Sequence, residues 1–124
     1  MNEWCVQHHG DSGLTQRVAE SPHSLEQVHS ELLHFLKSTL PPKTALLAGN
    51  SVHMDRLFLL EGMPQVVDFL HYRLLDVSSV HEAAVRFAPK EKLKDLPPKA
   101  KAHTAESDIL ESIAQLRFYK NTFF

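Results

Sequence analysis

The stretch ALLAGNSVHMD, residues 45–55, changes from an apolar run to polar turn residues and then to an acid. The apolar run over residues 45–49 is short and bounded by turn residues, which predicts a buried strand. Asn50 or Ser51 can then cap a helix that carries Asp55 near its start. Because α/β folds usually bind ligands where a strand opens into a helix, Asp55 is a candidate site residue. The competing interpretation is an acid that stabilises the helix dipole.

Helical and extended patterns alternate along the rest of the chain. Apolar residues recur at helical spacing over residues 24–40, with Ser24 and Gln27 as a capping box and Pro41 as the stop. The other expected elements are helices over 50–62, 63–70, 78–87 and 104–119, a strand over 72–77, a mixed segment over 1–22 with a turn at 10–13, and a loop over 89–101. This order predicts an α/β architecture with parallel pairing. Two strands make a poor sheet, so we expect further strands upstream.

A second acidic stretch, HTAESD, covers residues 103–108. Asp108 falls in the first turn of the last predicted helix, and His103 lies five residues upstream of it. Carboxylates gathered at one end of an α/β sheet, with an imidazole nearby, suit two-metal phosphodiester hydrolysis. Imidazole is also the side chain whose unperturbed pKa suits proton abstraction near neutral pH. The competing interpretations are a solvated histidine and a second acid on a helix dipole.

The composition narrows the class of protein. With 124 residues the chain is one domain or part of one, and its net charge of −2 is unlike that of proteins that bind long nucleic acids through a basic surface. No apolar run approaches the roughly 20 residues that span a bilayer, so we expect no membrane segment. The single cysteine, Cys5, excludes an internal disulfide and is typical of a reducing compartment. The nine histidines lack a paired zinc spacing.

Two further features leave alternatives open. The lysine-rich segment over residues 90–101 can contact phosphates or form a solvated loop, and the absence of interleaved aromatic residues favours the loop. Trp4 can stack on a base or belong to the core.

Taken jointly, several segments resemble the oligoribonuclease family, which are 3′→5′ exonucleases of the DEDD type. The matching segments are residues 4–9, 12–15, 47–53 with Asp55, 71–73 with 75–78, and His103 with 108–109 and 111–113. The resemblance implies an RNase H-like fold, a homodimer, and processing of very short single-stranded RNA from its 3′ end. It also implies a divalent metal, Mg²⁺ or Mn²⁺, and a cytoplasmic or mitochondrial location.

The resemblance assigns a role to each matching site residue. Asp55 and Asp108 would be metal ligands, and His103 the general base that deprotonates the attacking water. The implied substrate-binding residues are Trp4 as a wedge against a base, Ser51, Arg73 and Ser78 around the 5′ phosphate, and His9 and Tyr72 near the active site. Tyr72 would reach the site of the partner protomer. Arginine suits a terminal phosphate because its planar fork donates two aligned hydrogen bonds.

The first motif of that family, Asp-x-Glu on an N-terminal strand, does not occur in these 124 residues. We therefore expect an N-terminally truncated RNase H-like exonuclease fold with a mixed sheet flanked by helices, residues 1–124 forming a partial exonuclease domain. Loss of the strands that carry the motif should expose a sheet edge and much apolar surface. The leading hypothesis is an exoribonuclease that degrades short oligoribonucleotides to 5′-mononucleotides. The alternative is a catalytically inactive chain that serves only as a dimerisation or interaction module.

Overall fold

The computed structural model describes residues 1–100 and 102–124. Within this part of the chain, helices and two short strands follow one another as an α/β arrangement dominated by helix. The elements are α1 (Glu3–Asp11), α2 (Leu14–Glu20), α3 (Leu25–Thr39), β1 (Leu47–Gly49), α4 (Val52–Gly62), α5 (Pro64–Phe69), β2 (Leu74–Asp76), α6 (Val77–Phe87), a short 3₁₀-helix (Lys90–Leu93) and α7 (Ala105–Phe123).

Strands β1 and β2 pair in parallel, as the sequence predicts. Leu47 lies opposite Leu74, and Gly49 lies opposite Asp76. Both strands therefore end at the same edge of the sheet, and each passes almost directly into a helix, β1 into α4 and β2 into α6. The polar residues that follow the two strands lie at this edge, because few or no residues separate each strand from the next helix.

The capping box predicted at the start of α3 is confirmed. The Ser24 hydroxyl accepts a hydrogen bond from the Gln27 backbone N–H at 3.1 Å, and the Gln27 side-chain oxygen accepts one from the Ser24 backbone N–H at 2.8 Å. Two backbone hydrogen bonds then tie the segment after α3 to the segment after α5: Lys43 N–H donates to Phe69 C=O at 2.8 Å, and His71 N–H donates to Ala45 C=O at 2.9 Å. These bonds set the position from which both strands begin.

Among the described residues the buried core is small, with one cluster between α6 and α7 and further buried residues, Val52, Val66 and Leu70, at α4 and α5. Val77, Ala84 and Tyr119 form the centre of the cluster, and Leu93, Leu96, Leu116 and other partly buried apolar side chains pack around them. Many large apolar side chains are instead exposed, among them Phe58 at 71%, Phe87 at 84% and Ile109 at 59%. This agrees with the expectation that much apolar surface lies open in this chain.

The amino-terminal region differs from the mixed segment expected over residues 1–22, because it contains two helices. The Asn2 side chain caps α1 by accepting from the Cys5 backbone N–H at 2.9 Å. Gly13 at φ +73° then turns the chain into α2. The turn expected at 10–13 is found only at Ser12 and Gly13, because Gly10 and Asp11 belong to α1. The weak helix formers of α1, such as Val6, His8 and Gly10, concealed that helix. In the expected loop over 89–101, the 3₁₀-helix is a further difference, and Lys101 lies outside the described residues.

We predict that Ser24→Ala lowers the free energy of unfolding by about 1 kcal/mol, because it removes the acceptor at the start of α3. Thermal unfolding followed by circular dichroism measures the change. Ser30→Ala is the matched control: Ser30 is exposed within α3, so its replacement should leave stability unchanged or raise it slightly. Equal effects of the two substitutions would contradict the capping assignment.

Candidate active site

At the carboxyl edge of the sheet, Ser51 links the two strands. Its backbone has φ +51°, and its N–H donates to Asp76 Oδ1 and to Ser78 Oγ, both at 3.0 Å. The hydroxyl oxygens of Ser51 and Ser78 lie 3.4 Å apart. Ser51 occupies the N-cap position of α4, but its side chain makes no capping hydrogen bond. Of the two expected candidates, Ser51 is thus the N-cap residue, but its hydroxyl lies beside Ser78 rather than bonding to the helix.

Asp76 holds this edge together. Its Oδ1 accepts from the backbone N–H groups of Ser51 at 3.0 Å and Ser78 at 2.9 Å, so one carboxylate both joins the strand ends and caps α6. The other oxygen lies 3.7 Å from Nδ1 of His53. Sequence reasoning did not single out Asp76. Its signal was an acid two residues before a serine at a strand end, which is the pattern of an N-cap.

One cleft contains all three residues assigned to the chemistry. A cavity of about 1090 Å³ is lined by Asp55 from α4, by His103 from the segment before α7, and by Asp108 from the first turn of α7. Lys99 and Glu111 line the same cleft. The structure thus brings the two acidic stretches of the sequence to a single place. Lys99, which belongs to the lysine-rich segment for which the sequence favoured a solvated loop, also lines this cleft.

The start of α7 sets the position of Asp108 and His103. Thr104 caps the helix in a capping box: its hydroxyl accepts from the Ser107 backbone N–H at 3.3 Å, and its own N–H donates to the Ser107 hydroxyl at 3.2 Å. His103, just before the cap, has φ +49°. Asp108 lies in the first turn of α7, so its position follows directly from where the capping box starts the helix.

An aromatic cluster from the opposite end of the chain reaches His103. The rings of Trp4 and His8 stack with centroids 4.7 Å apart, and the Trp4 ring meets the His103 ring edge-on at 5.7 Å. Nε2 of His8 lies 3.4 Å from the backbone carbonyl oxygen of His103. His9, the residue named from the sequence, contacts the ring of His8. Sequence reasoning missed His8; the signal was its four-residue spacing from Trp4, which places both on one helix face once α1 is known.

Tyr72 and Arg73 lie at the other end of the sheet. They directly precede β2, whereas Ser51 and Ser78 lie beyond the ends of the strands. The Tyr72 side chain is 73% exposed, stacks on the His71 ring at 4.7 Å, and has the Arg73 guanidinium 5.5 Å from its ring centroid. The structure therefore brings Ser51 and Ser78 together and keeps Arg73 apart from them within one chain.

The acidic residues of the cleft do not form a complete metal site within the part of the chain that the structure describes. Over residues 1–100 and 102–124, no three histidine, cysteine, aspartate or glutamate side chains approach closely enough to hold a metal ion. Asp55 and Asp108 thus offer carboxylates without a complete ligand set, since two-metal sites clamp two ions about 4 Å apart and need more oxygen ligands than this pair provides.

Comparison with known proteins identifies the family. Residues 1–116 match the exonuclease family described as RNase T. A bacterial oligoribonuclease from Pseudomonas syringae pv. tomato is 46% identical over 123 residues, covering 99% of this chain and 67% of the relative. The chain belongs to the oligoribonuclease family of exonucleases. Proteins named mitochondrial oligoribonuclease are 52% identical over 99% of the chain in Saccharomyces cerevisiae and 48% identical over 100% of it in Homo sapiens. These matches cover 46% and 52% of those relatives, so the chain spans about half of their length.

Family membership confirms the expected RNase H-like exonuclease fold class, of which this chain shows helices and a small parallel sheet. Members of the exonuclease family generally depend on divalent metal ions. In the part of the chain that the structure describes, no helix combines the length and apolar character that crossing a membrane requires.

We predict that His8→Ala shifts the fluorescence of Trp4, the single tryptophan, to longer wavelength and raises its quenching by acrylamide, because the stacked face of the indole becomes exposed. His9→Ala is the matched control, since His9 contacts His8 rather than Trp4. If both variants kept the parent spectrum, Trp4 would not stack on His8 in solution.

Proposed function

We propose that this chain acts as a 3′→5′ exoribonuclease on short single-stranded RNA, releasing 5′-mononucleotides by metal-dependent hydrolysis. The observation that carries the proposal is the shared cleft, in which Asp55, Asp108 and His103 line one cavity although they come from separate parts of the sequence. The relatives named oligoribonuclease support the same reaction class.

In this proposal His103 is the general base. Its imidazole accepts a proton from the attacking water, and the water oxygen bonds to phosphorus. The bond from phosphorus to the 3′ oxygen of the preceding nucleotide breaks, and that oxygen takes up a proton from solvent. The released nucleotide therefore keeps the phosphate on its 5′ oxygen. The Trp4 and His8 rings restrict the movement of the His103 ring, since they contact it from two directions. General-base catalysis of this kind contributes roughly 10²–10⁴-fold to the rate.

The proposed metal ligands are Asp55 and Asp108, with Mg²⁺ or Mn²⁺ as the ion. Both ions are hard cations that bind carboxylate oxygens. The ion would neutralise charge at the scissile phosphate when bound. Because these two carboxylates do not complete a site, the proposal requires further oxygen ligands beside them.

The proposed substrate class is a short RNA with a 5′ phosphate. The Ser51 and Ser78 hydroxyls form a polar pair at the carboxyl edge of the sheet, where the neighbouring Asn50 lines the cleft. Trp4, half exposed beside His103, has a free surface on which a base can stack. A site that closes on a terminal phosphate selects RNA by length without reading its sequence, which fits the net charge of −2.

A homodimer is part of the proposal. Arg73, assigned to the 5′ phosphate, lies at the far end of β2 from Ser51, and Tyr72 beside it is largely exposed. An exposed tyrosine next to an arginine is typical of a protein–protein contact. We therefore assign Tyr72 and Arg73 to the active site of a second protomer. The names of the yeast and human relatives favour a mitochondrial site of action, with the cytoplasm as the alternative.

We predict that the purified chain cleaves a 5′-labelled RNA dinucleotide with Mg²⁺ or Mn²⁺ and that EDTA abolishes the cleavage. His103→Ala should lower the rate by about 10²–10⁴-fold, and Asp55→Asn should remove it. Asp68→Asn is the matched control. Asp68 is an exposed acid on α5 that pairs with Lys43 and does not line the cleft. The readout is separation of dinucleotide and mononucleotide by electrophoresis.

Absence of cleavage by a folded chain would contradict the exoribonuclease proposal and favour the inert interaction module. Unchanged activity of His103→Ala would contradict the general-base role while leaving the reaction class intact.

We also predict that Ser51→Ala weakens binding of a 5′-phosphorylated RNA dinucleotide about tenfold, because a hydrogen bond to a charged group contributes roughly 1.5–3 kcal/mol. Binding of the 5′-hydroxyl dinucleotide should change little. Titration calorimetry in EDTA measures both. Ser79→Ala is the control, since Ser79 is exposed on α6 one position from Ser78. Equal losses for the two dinucleotides would place the 5′ phosphate elsewhere.

A further inference from the structure

Asn50 connects the cleft helix α7 to the pair of serines at the strand ends. It directly follows β1, and its side chain is partly buried. The Nδ2 group donates to Ser112 Oγ at 2.8 Å and to Gln115 Oε1 at 3.1 Å, both on α7. On its other side, Oδ1 accepts from the Ser78 hydroxyl at 3.1 Å. A single amide thereby joins the helix that carries Asp108 to the edge that carries Ser51.

The hydrogen-bond partners fix which way the Asn50 amide faces. The Ser112 hydroxyl donates its proton to the backbone carbonyl of Asp108 at 2.8 Å, so towards Asn50 it can only accept. The Gln115 side chain, 5% exposed, donates through Nε2 to the hydroxyl of the fully buried Tyr119 at 3.1 Å, which leaves Oε1 facing Asn50. A rotated Asn50 amide would set oxygen against two acceptors, and leaving buried polar groups unpaired is costly.

The orientation of Asn50 determines what each serine can do. Because Oδ1 faces Ser78, the single hydroxyl proton of Ser78 is committed to Asn50. The lone pairs of Ser78 then face Ser51, accepting its backbone N–H at 3.0 Å and lying 3.4 Å from its hydroxyl. Across the 3.4 Å contact only the Ser51 hydroxyl can donate, so its single proton points either to Ser78 or to a ligand. Ser51 is therefore the member of the pair that can donate to a bound phosphate.

We propose that Asn50 is a positioning residue that couples α7 to the 5′-phosphate site: held by Ser112 and Gln115, it orients Ser78 so that Ser51 presents the donor. The inference rests on the proposed function, since it specifies how that site recognises the terminal phosphate. If this is so, the preference for a 5′ phosphate depends on the side chains of Ser112 and Gln115, which contact Asn50 rather than the Ser51–Ser78 pair.

The experiment compares dissociation constants for a 5′-phosphorylated RNA dinucleotide and its 5′-hydroxyl counterpart, in EDTA so that neither is cleaved. Ser112→Ala and Gln115→Leu each remove one acceptor of Asn50, and each should reduce the ratio of the two constants about threefold to tenfold. Ser112→Thr keeps the hydroxyl and should restore the parent ratio. Val80→Ala, which loosens the α6–α7 core without touching Asn50, should lower the melting temperature and leave the ratio unchanged.

The outcomes separate the inference from the proposed function. If the parent chain prefers the 5′-phosphorylated dinucleotide and folded Ser112→Ala keeps that preference, the coupling through Asn50 is wrong while the phosphate site stands. If the parent shows no preference, the phosphate site and the inference both fail. Ser112 lies on the half-exposed side of α7, so Ser112→Ala decides the question even if Gln115→Leu does not fold.

Discussion

Parallel pairing of β1 with β2 is the constraint on which the rest of the structure depends. The register that places Gly49 opposite Asp76 brings both strand ends to one edge, and the Asp76 carboxylate then joins them through the backbone of Ser51 and Ser78. A slip of one residue would turn alternate side chains to the other face of the sheet and separate these groups. The register of the two strands therefore determines which residues meet at this edge of the sheet.

Helix α7 adds the second half of the site. Its capping box fixes where the helix begins, which puts Asp108 in the first turn and His103 immediately outside it. One turn after Asp108, Ser112 on the same helix accepts a hydrogen bond from Asn50 at the end of β1. Further along, the helix buries Tyr119 in the core. The position of α7 thus depends on its capping box, on the burial of Tyr119 and on the contact with Asn50. A shift of α7 would move His103 and Asp108 relative to Ser51 and Ser78.

Local sequence signals predicted most of the fold because they act over a few residues. The capping residue Ser24 and the apolar run before Asn50 indicated their elements directly. The sequence also indicated the cleft, since Asp55 and Asp108 each follow a break between elements. It could not reveal α1, whose residues are weak helix formers, and so it missed His8. The bond from Ser51 to Asp76 and the contacts of Asn50 with α7 span 25 or more positions, which no local pattern contains.

Asp55 and Asp108 line one cleft, and we propose that they bind a divalent ion there together. Paramagnetic line broadening tests this proposal directly, by titrating the ¹⁵N-labelled chain with Mn²⁺ and following the backbone amide resonances. If Asp55 and Asp108 bind one ion, their amide resonances should broaden together at the lowest Mn²⁺ concentration, before those of the exposed acids Asp68 and Glu82. Broadening that begins at Asp68 or Glu82, or that reaches Asp55 without Asp108, would contradict a shared site.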